Sequence, residues 1–353
     1  MIRLAFDLYQ RRQERKQSSS VTPGPNSGAT STEGSTRAPS ATPVIEVSHL
    51  QKSYGKVHAV NDISFDIHGG EVFSFLGPNG AGKSTTVEIL EGLRDRTGGE
   101  VRVLGLDPWS HFDQVKARIG VIPQDFHFFP KLTPREAIRL YARLFKARVD
   151  PDELLARVEL TDKADDYYDT LSGGQHQKVG VALSLVNDPE VCFLDEPTTG
   201  LDPRARRSIW AVIRRLRSEG RAVFLTTHYL EEAQQLSDRI GILNFGKIIT
   251  TGSPSAIITE FGRPERIRIV GDPSIAGQLK PLGLSITQAD GEVEVELRSK
   301  NDALPILQTV SASGLRWESF STVNDSLEDV FIRLVGRLED GASGTPPVGE
   351  VAA

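Results

Sequence analysis

The sequence is poor in the residues that build covalent or metal-centred frameworks. A single cysteine, Cys192, occurs in 353 residues, which excludes an internal disulfide framework and any multi-cysteine metal site. Cys192 stands in an apolar run, and this context predicts a buried and unreactive thiol. We therefore expect a reducing, cytoplasmic compartment.

Long apolar runs and an excess of basic residues are also missing. No stretch reaches the roughly 18 consecutive apolar residues that span a bilayer, and the N-terminus has no signal-peptide apolar segment. The formal net charge is -6 at pH 7, which provides no basic footprint for nucleic acid. We expect no nucleic-acid partner, and any membrane role must come through a partner protein.

An N-terminal extension, residues 1–43, precedes the first segment able to form a core. Its part from 17 to 43 is rich in Ser, Thr, Gly and Pro, and this composition predicts a low-complexity, disordered tether. Ahead of the tether, Ile2, Phe6 and Tyr9 recur at helical spacing beside basic residues. This pattern fits a weak interfacial helix, a frayed tail, or translation that starts nearer Val44.

Residues 44–250 are predicted to form an α/β domain, because apolar strand-like runs alternate with helical patterns. Residues 251–263 are predicted to be a linker helix with Pro254 at its first position. Residues 264–338 are predicted to form a small α+β domain, and the Gly- and Pro-rich residues 339–353 to form a disordered tail.

The small C-terminal domain shows a βαββαβ order of strand-like and helical segments, which is a ferredoxin-like arrangement. Residues 292–297 alternate Glu with Val or Leu, which predicts a strand with one buried face. Asp290 and Gly291 before it predict a hairpin turn. A last helix has an apolar face made by Leu327, Val330, Phe331 and Leu334.

The segment from Gly77 to Ser84 fits the phosphate-loop pattern G-x-x-x-x-G-K-[ST] and lies between an apolar strand and a helix. Its glycines allow backbone N–H groups to turn towards a phosphate at the positive end of a helix. Lys83 is predicted to reach the β and γ oxygens of a nucleotide, and Ser84 to bind Mg²⁺. The predicted nucleotide-binding residues here are Gly77, Pro78, Asn79, Gly80, Ala81, Gly82, Lys83, Ser84 and Thr85.

Two carboxylates, Asp195 and Glu196, end the apolar run that contains Cys192. Such a run predicts a fully buried strand whose C-terminal end opens on the site. Asp195 is predicted to hold Mg²⁺ through water. Glu196 is predicted to act as a general base or to position the water that attacks the γ-phosphate. Without a phosphate loop, two acidic residues at the start of a surface loop would be the simpler interpretation.

A second glycine-containing loop, formed by Ser172, Gly173, Gly174 and Gln175, opens another helical run. A hydroxyl group and bare backbone N–H groups at a helix N-terminus predict a second anion site. Since Lys83 and its loop already serve one γ-phosphate, this second loop has no evident nucleotide of its own.

Taken together, these motifs make residues 44–250 resemble the nucleotide-binding subunit of an ATP-binding cassette (ABC) transporter. The resemblance implies a P-loop NTPase fold with a helical signature subdomain, and ATP and Mg²⁺ as cofactors. It further implies a homodimer or heterodimer in which Ser172–Gln175 close over the ATP held by the partner's phosphate loop.

The same resemblance assigns roles to four residues outside the two loops. It implies that Tyr54 stacks on adenine, that Gln124 contacts Mg²⁺ or the attacking water, that Asp202 communicates across the dimer, and that His228 contacts the γ-phosphate. The implied catalytic residues are Lys83, Gln124, Glu196 and His228, and the implied metal ligands are Ser84, Gln124 and Asp195.

The phrases SLEDVFIRLVG and THYLEEA resemble the daunorubicin-resistance-type (ABC-2) drug and lipid exporter ATPases, which carry a small domain after the cassette. This narrower resemblance implies an ATPase that drives a separately encoded membrane permease through ATP-dependent dimerisation, in drug, lipid or polysaccharide efflux. It places the protein at the cytoplasmic face of the cell membrane, held there by the permease.

Two other functions compete with the transporter ATPase. A soluble cassette ATPase would act on ribosomes, DNA repair or cluster assembly, but the chain has one cassette, no sustained heptads and no cysteine pairs. A non-enzymatic regulatory subunit would have a degenerate site, whereas Lys83, Asp195, Glu196 and His228 are all present. The sequence therefore favours the transporter ATPase.

Overall fold

The computed structural model describes residues 42–289 and 291–341, with the backbone alone for residues 337–341. The predicted N-terminal helix, nearly all of the predicted tether, Asp290 of the predicted turn and residues 342–353 lie outside the described residues. The chain divides into two compact units, the first ending at Ser253 and the second beginning at Pro254. No helix in the described ranges is long and apolar enough to cross a membrane.

The strands of the first unit form two sheets. In chain order they are β1 (Ile45–Tyr54), β2 (Val57–Ile67), β3 (Val72–Leu76), β4 (Gly98–Val103), β5 (Ile119–Ile122), β6 (Val191–Asp195), β7 (Ala222–Thr227), β8 (Arg239–Asn244) and β9 (Lys247–Gly252). One sheet is antiparallel, in the order β2-β1-β4. The other has the order β5-β6-β7-β3-β8-β9, with every pair parallel except β8 and β9.

The parallel sheet decides where the chemistry-bearing loops meet. Strands β3, β6 and β7 are neighbours in it, and each consists almost wholly of buried apolar residues. Because parallel strands end at the same edge, the loops that follow these three strands emerge side by side. Those loops are the phosphate loop, the Asp195–Glu196 pair and the segment of His228.

Helices cover this sheet and form a further layer of packing. They are α1 (Lys83–Leu90), α2 (Phe112–Lys116), α3 (Pro134–Phe145), α4 (Pro151–Arg157), α5 (Gly173–Ser184), α6 (Pro203–Ser218) and α7 (Leu230–Leu236). Helix α3 begins with a capping box in which Thr133 and Glu136 bond each other's backbone N–H groups. Buried Ile138, Leu155 and Val179 join α3, α4 and α5 in one apolar cluster with Cys192, whose predicted burial is confirmed.

The second unit contains one antiparallel sheet with two helices between its strands. Its elements are α8 (Pro254–Phe261), β10 (Arg266–Gly271), α9 (Ile275–Leu279), β11 (Ile286–Ala289), β12 (Glu292–Glu296), α10 (Ala303–Ala312), β13 (Trp317–Val323) and α11 (Leu327–Gly341). The sheet order is β11-β12-β10-β13. Val293 and Val295 are buried on the face opposite the glutamates, so the alternation predicted for this strand is confirmed.

Two features differ from the boundaries expected from the sequence. The predicted linker helix, α8, packs within the second unit: Ile257 is buried, and Arg333 of α11 donates a 2.6 Å hydrogen bond to the carbonyl oxygen of Phe261. Helix α11 also continues to Gly341, past residue 339 where a disordered tail was expected. Composition does not reveal either point, because both depend on what the segment packs against.

Candidate active site

The phosphate loop lies between β3 and α1, as its pattern predicts. Lys83 is buried, and its Nζ donates hydrogen bonds to the carbonyl oxygens of Gly77 at 2.7 Å and Pro78 at 3.1 Å. Burial lowers the pKa of Lys83, while Glu196 and Asp195 act in the opposite direction. The ammonium group is therefore held inside the loop and close to both carboxylates.

Two glycines of this loop stand where no other residue fits without a shift. A Cβ on Gly77 would lie 2.4 Å from the carbonyl oxygen of Leu243, and one on Gly82 would lie 2.3 Å from that of Ala59. Gly82 also has a φ of 101°, which side chains of L-residues rarely adopt. Since Gly246 N–H donates to Ala81 O at 3.1 Å, the turn after β8 supports the loop from behind.

Asp195 ends β6 beside the phosphate loop. Its Oδ1 accepts a hydrogen bond from the hydroxyl group of Thr226, at the corresponding position of β7. Burial raises the pKa of Asp195, and Glu196 and Glu88 add to this, whereas Thr226 and Lys83 oppose it. Carboxylates that act on one another in this way favour a nearby cation.

Glu196 is held in a defined and strained backbone geometry. Its φ of 48° lies in the left-handed region. Its N–H donates to both the carbonyl oxygen and the hydroxyl oxygen of Thr226, at 3.1 and 3.0 Å. Such strain persists where the surrounding structure over-determines the conformation, and the two bonds to Thr226 hold the backbone of Glu196 against β7.

Three side chains converge on one oxygen of Glu196. Gln124 Nε2 donates to Oε2 at 3.2 Å, Thr199 Oγ1 donates to it at 3.1 Å, and His228 Nδ1 lies 3.2 Å from it. These groups come from the segments that follow β5, β6 and β7, so the carboxyl edge of the sheet brings them together. The arrangement can accept a proton at Glu196 and orient the carboxylate from three directions.

Tyr54 lies at the end of β1 and is 42% exposed. Lys52 Nζ and Arg94 Cζ lie 5.1 and 5.3 Å from the ring centroid. Ser84 is exposed in the first turn of α1, next to Lys83 and Thr85.

The second glycine-containing loop lies apart from this cluster. Ser172 caps α5, with its hydroxyl oxygen and the Gln175 side chain forming a capping box. A Cβ on Gly174 would lie 2.6 Å from Ala205 Cβ, so the loop packs against the start of α6. Within the described residues, no hydrogen bond or ion pair links Ser172–Gln175 to Lys83, Asp195 or Glu196.

Asp202 caps α6 and accepts hydrogen bonds from the N–H groups of Arg204 and Ala205, both at 2.9 Å. The bond from Ala205 N–H lowers the pKa of Asp202, although burial acts in the opposite direction. Asp202 is exposed on the same side of the unit as the second loop, because both contact the first turn of α6.

Sequence reasoning missed Thr199 and Thr226. Thr226 bonds both acidic positions, and Thr199 bonds the Glu196 carboxylate. Thr199 stands three positions after Glu196 and Thr226 two positions before His228, so the available signal was their nearness in sequence to predicted site residues. Nothing in the order of residues says which of several threonines faces the site.

The fold and the site define a P-loop nucleotide-binding domain. Residues 60–199 match the family model described as ABC transporter, and residues 252–335 match the model for the C-terminal domain of DrrA1-3-like ATP-binding proteins. The Nod factor export ATP-binding protein I of Ralstonia nicotianae is 36% identical over 84% of this chain and 95% of its own length. The protein of the same name from Rhizobium meliloti is 37% identical over 86% and 91%.

Solved structures agree with this match. A dimeric bacterial ABC transporter cassette has a TM-score of 0.53 and 28% identity, over 59% of this chain and 98% of that one. A post-hydrolysis dimer of the ATP-binding cassette bound to ADP and Pi has a TM-score of 0.53 and 29% identity, over 59% and 98%. The chain therefore belongs to the ATP-binding subunits of ABC transporters, in the exporter group, and it is an ATPase.

Proposed function

We propose that this ATPase drives a separately encoded membrane permease through ATP-dependent dimerisation, at the cytoplasmic face of the cell membrane. The observation that carries the catalytic part is the convergence of Gln124, Thr199 and His228 within 3.2 Å of Glu196 Oε2, beside buried Lys83. In this proposal Lys83 binds the β- and γ-phosphates, and Glu196 accepts a proton from the attacking water. Gln124 and His228 orient the water and the γ-phosphate.

The donor set at the centre of the site fits Mg²⁺. Asp195 supplies a carboxylate whose pKa burial raises, Ser84 a hydroxyl oxygen and Gln124 an amide oxygen, and hard oxygen ligands are those that Mg²⁺ prefers. We propose that these three residues hold the ion, whose chemistry is to neutralise charge on the β- and γ-phosphate oxygens.

A second ATPase subunit, identical or related, completes the site in this proposal. Two observations support it: Ser172–Gln175 lie against α6 and not against Lys83 of their own chain, and a related cassette is dimeric. The exposed N-terminus of α5 then closes over the γ-phosphate held by the partner's phosphate loop. Asp202, beside that loop, lies at the same interface, and Tyr54 stacks on the adenine ring.

The permease is proposed to dock beside Gln124. The segment after it leads to a surface cavity of about 500 Å³ lined by Phe129, Pro130, Lys131, Leu132 and Leu140. Phe129 is 49% exposed there. An exposed apolar patch of this kind suits a protein partner. The relatives named for Nod factor export support an export function, with drugs, lipids or polysaccharides as the proposed substrate classes.

The domain bounds and the fold of each domain are part of the same proposal. Residues 44–250 are the ATPase domain, with α3 to α5 as its helical signature subdomain. The part of the second unit that follows α8 is a ferredoxin-like domain, which its βαββαβ element order and antiparallel sheet support.

The test uses Glu196→Gln, which removes the proton acceptor and keeps the shape of the site. With ATP and Mg²⁺ we expect hydrolysis to slow at least about 100-fold and the chain to elute as a dimer on size-exclusion. Affinity purification from gently solubilised native membranes should then recover a polytopic membrane protein in stoichiometric amount. The matched control, Lys83→Ala combined with Glu196→Gln, should stay monomeric because it lacks the phosphate-binding ammonium group.

Three results would count against this function. A Glu196→Gln chain that turns over like the wild type would contradict the catalytic assignment. A monomer in the presence of ATP would contradict closure by a second subunit. Recovery of ribosomes or another soluble assembly, with no membrane protein, would contradict the permease.

A further inference from the structure

A buried glutamate outside the site joins the segments that carry Glu196 and His228. Glu232 lies in the first turn of α7, just after His228, and is 0% exposed. Thr198 Oγ1 and Trp210 Nε1 both donate hydrogen bonds to Glu232 Oε1, at 2.8 and 2.9 Å. One carboxylate therefore links the segment directly after Glu196, helix α6 and the start of α7.

A second contact runs between the same elements. The guanidinium group of Arg206 on α6 lies 4.4 Å from the ring centroid of Tyr229, and this ring lies 4.2 Å from the imidazole ring of His228. Tyr229 N–H also donates to Thr227 Oγ1 at 3.0 Å. Helix α6 thus makes two contacts near His228. Its Arg206 contacts Tyr229, the residue after His228, and its Trp210 contacts Glu232 in the first turn of α7.

The burial of Glu232 lowers the stability of the fold. Burial raises its pKa, against the effect of its hydrogen bonds. Glu232 Oε2 and Arg206 Nε are buried without a hydrogen-bond partner within the described residues. Since an apolar side chain avoids such a cost, and locally unfavourable residues are expected at functional sites, Glu232 is better explained by the geometry it imposes than by stability.

We propose that Glu232 is a positioning residue for ATP hydrolysis, an inference that rests on the proposed function of the site. It holds the segment of Glu196 and the segment of His228 at the spacing that puts His228 Nδ1 3.2 Å from Glu196 Oε2. Within the described residues no hydrogen bond or ion pair joins Glu232 to Glu196 or to the nucleotide-binding residues, so Glu232 acts through Thr198 and through α7.

The first experiment compares ATP hydrolysis and ATP binding for three variants of the full chain. Misplacement by about 1 Å can cost on the order of 100-fold in rate, so we expect Glu232→Ala to lower kcat about 10- to 100-fold. KM and the Kd of a fluorescent ATP analogue should stay within about threefold. Glu232→Gln keeps the acceptor oxygen for Thr198 and Trp210 and should recover most of the lost rate. Glu231→Ala, which removes the exposed neighbouring carboxylate, is the matched control.

The second experiment separates positioning from a general structural role. Single-turnover rates are measured for Glu232→Ala, His228→Ala and the double variant, because residues that act as a unit are not additive. If Glu232 acts through His228, the double variant is no slower than His228→Ala. If Glu232→Ala does not fold, Thr198→Val and Trp210→Phe each remove one donor, and the same cycle is measured with them.

Two outcomes overturn the inference. One is an equal loss of rate in both the wild-type and the His228→Ala backgrounds. The other is a loss of thermal stability and of ATP binding with kcat unchanged. A wild-type chain that hydrolyses no ATP would instead overturn the proposed function of the site, so the two failures are distinguishable.

Discussion

Replacement of Asp325 by Asn should destabilise the second unit more than any surface change. Asp325 is 5% exposed and lies between α8, β10 and α11. It accepts hydrogen bonds from Arg263 N–H at 2.8 Å, from Arg266 Nη2 at 2.8 Å and from the guanidinium group of Arg333. Asn keeps the shape but takes the carboxylate away from Arg263 and Arg333, while Arg266 keeps only Glu294, whose Oε2 lies 3.2 Å from Arg266 Nε. Removing one member of a buried pair costs about 3–5 kcal/mol.

The stability that Asp325 contributes should decrease as the pH falls. Burial alone would raise the pKa of Asp325, but the Arg263 N–H group and the Arg266 and Arg333 guanidinium groups outweigh it and hold the pKa well below its ordinary value. A carboxylate with a lowered pKa in the folded state stabilises above its unfolded pKa, about 3.9, and loses this contribution as the pH falls through the folded value. The difference in the free energy of unfolding between Asp325→Asn and the wild type should therefore have its full size from about pH 5 upward and become smaller in stronger acid.

Native-state hydrogen exchange measures this change in the second unit alone. At tenfold per 1.4 kcal/mol, a loss of about 3 kcal/mol speeds exchange of the protected amides in β10 and α11 about 100-fold. Glu328→Gln, an exposed carboxylate on α11, is the matched control and should exchange like the wild type. A change of less than about 1 kcal/mol for Asp325→Asn, or one that grows in acid, would refute the reasoning.

Two further predictions concern the nucleotide site. Gly82→Ala would place a Cβ 2.3 Å from Ala59 O at a φ of 101°, so ATP affinity should fall at least about tenfold in a binding titration, which corresponds to 1.4 kcal/mol. Gly80→Ala meets open space at a φ of 79° and should cost only about 1–2 kcal/mol of stability, as backbone strain; equal losses of ATP affinity in both variants would argue against the clash. Tyr54→Ala should weaken ATP binding roughly tenfold, since stacking on a base is worth about 1–3 kcal/mol, and should leave inorganic triphosphate binding unchanged. Unaltered ATP affinity would exclude the stacking role.

Local patterns in the sequence were sufficient for much of the architecture. The phosphate loop, the helical run that Ser172–Gln175 open, and the strand of Glu292–Glu296 were all predicted from neighbours within a few positions. The capping box at Ser172 joins residues three apart, and the phosphate loop lies between a strand and a helix that adjoin it in sequence. Such interactions form wherever the local residues allow, so sequence spacing predicts them.

Local sequence patterns could not predict that α8 belongs to the second unit. Its sequence signals, Pro254 at the start and Gly262 after the end, define a helix but not its neighbours. One neighbour is α11, whose Arg333 donates to the carbonyl oxygen of Phe261, 72 residues earlier in the chain. The residue before α11 that contributes is Asp325, which accepts a hydrogen bond from Arg263 N–H just after α8. A linker helix and a packed helix have the same local pattern, and only long-range contacts separate them.

The sequence by itself determined that a phosphate-loop motif ending in Lys83 and Ser84 lies between a strand and a helix, and that Asp195 and Glu196 end an apolar run. It therefore predicted a nucleotide site, to which the family resemblance added His228. Only the tertiary structure decided that Gln124, Thr199 and His228 share one oxygen of Glu196, and that Glu232 joins Thr198 to Trp210. Gln124 and Glu196 are 72 positions apart in the chain. Their distance in space depends on the order β5-β6-β7-β3 of the sheet, which is a property of the packed core and not of any short segment.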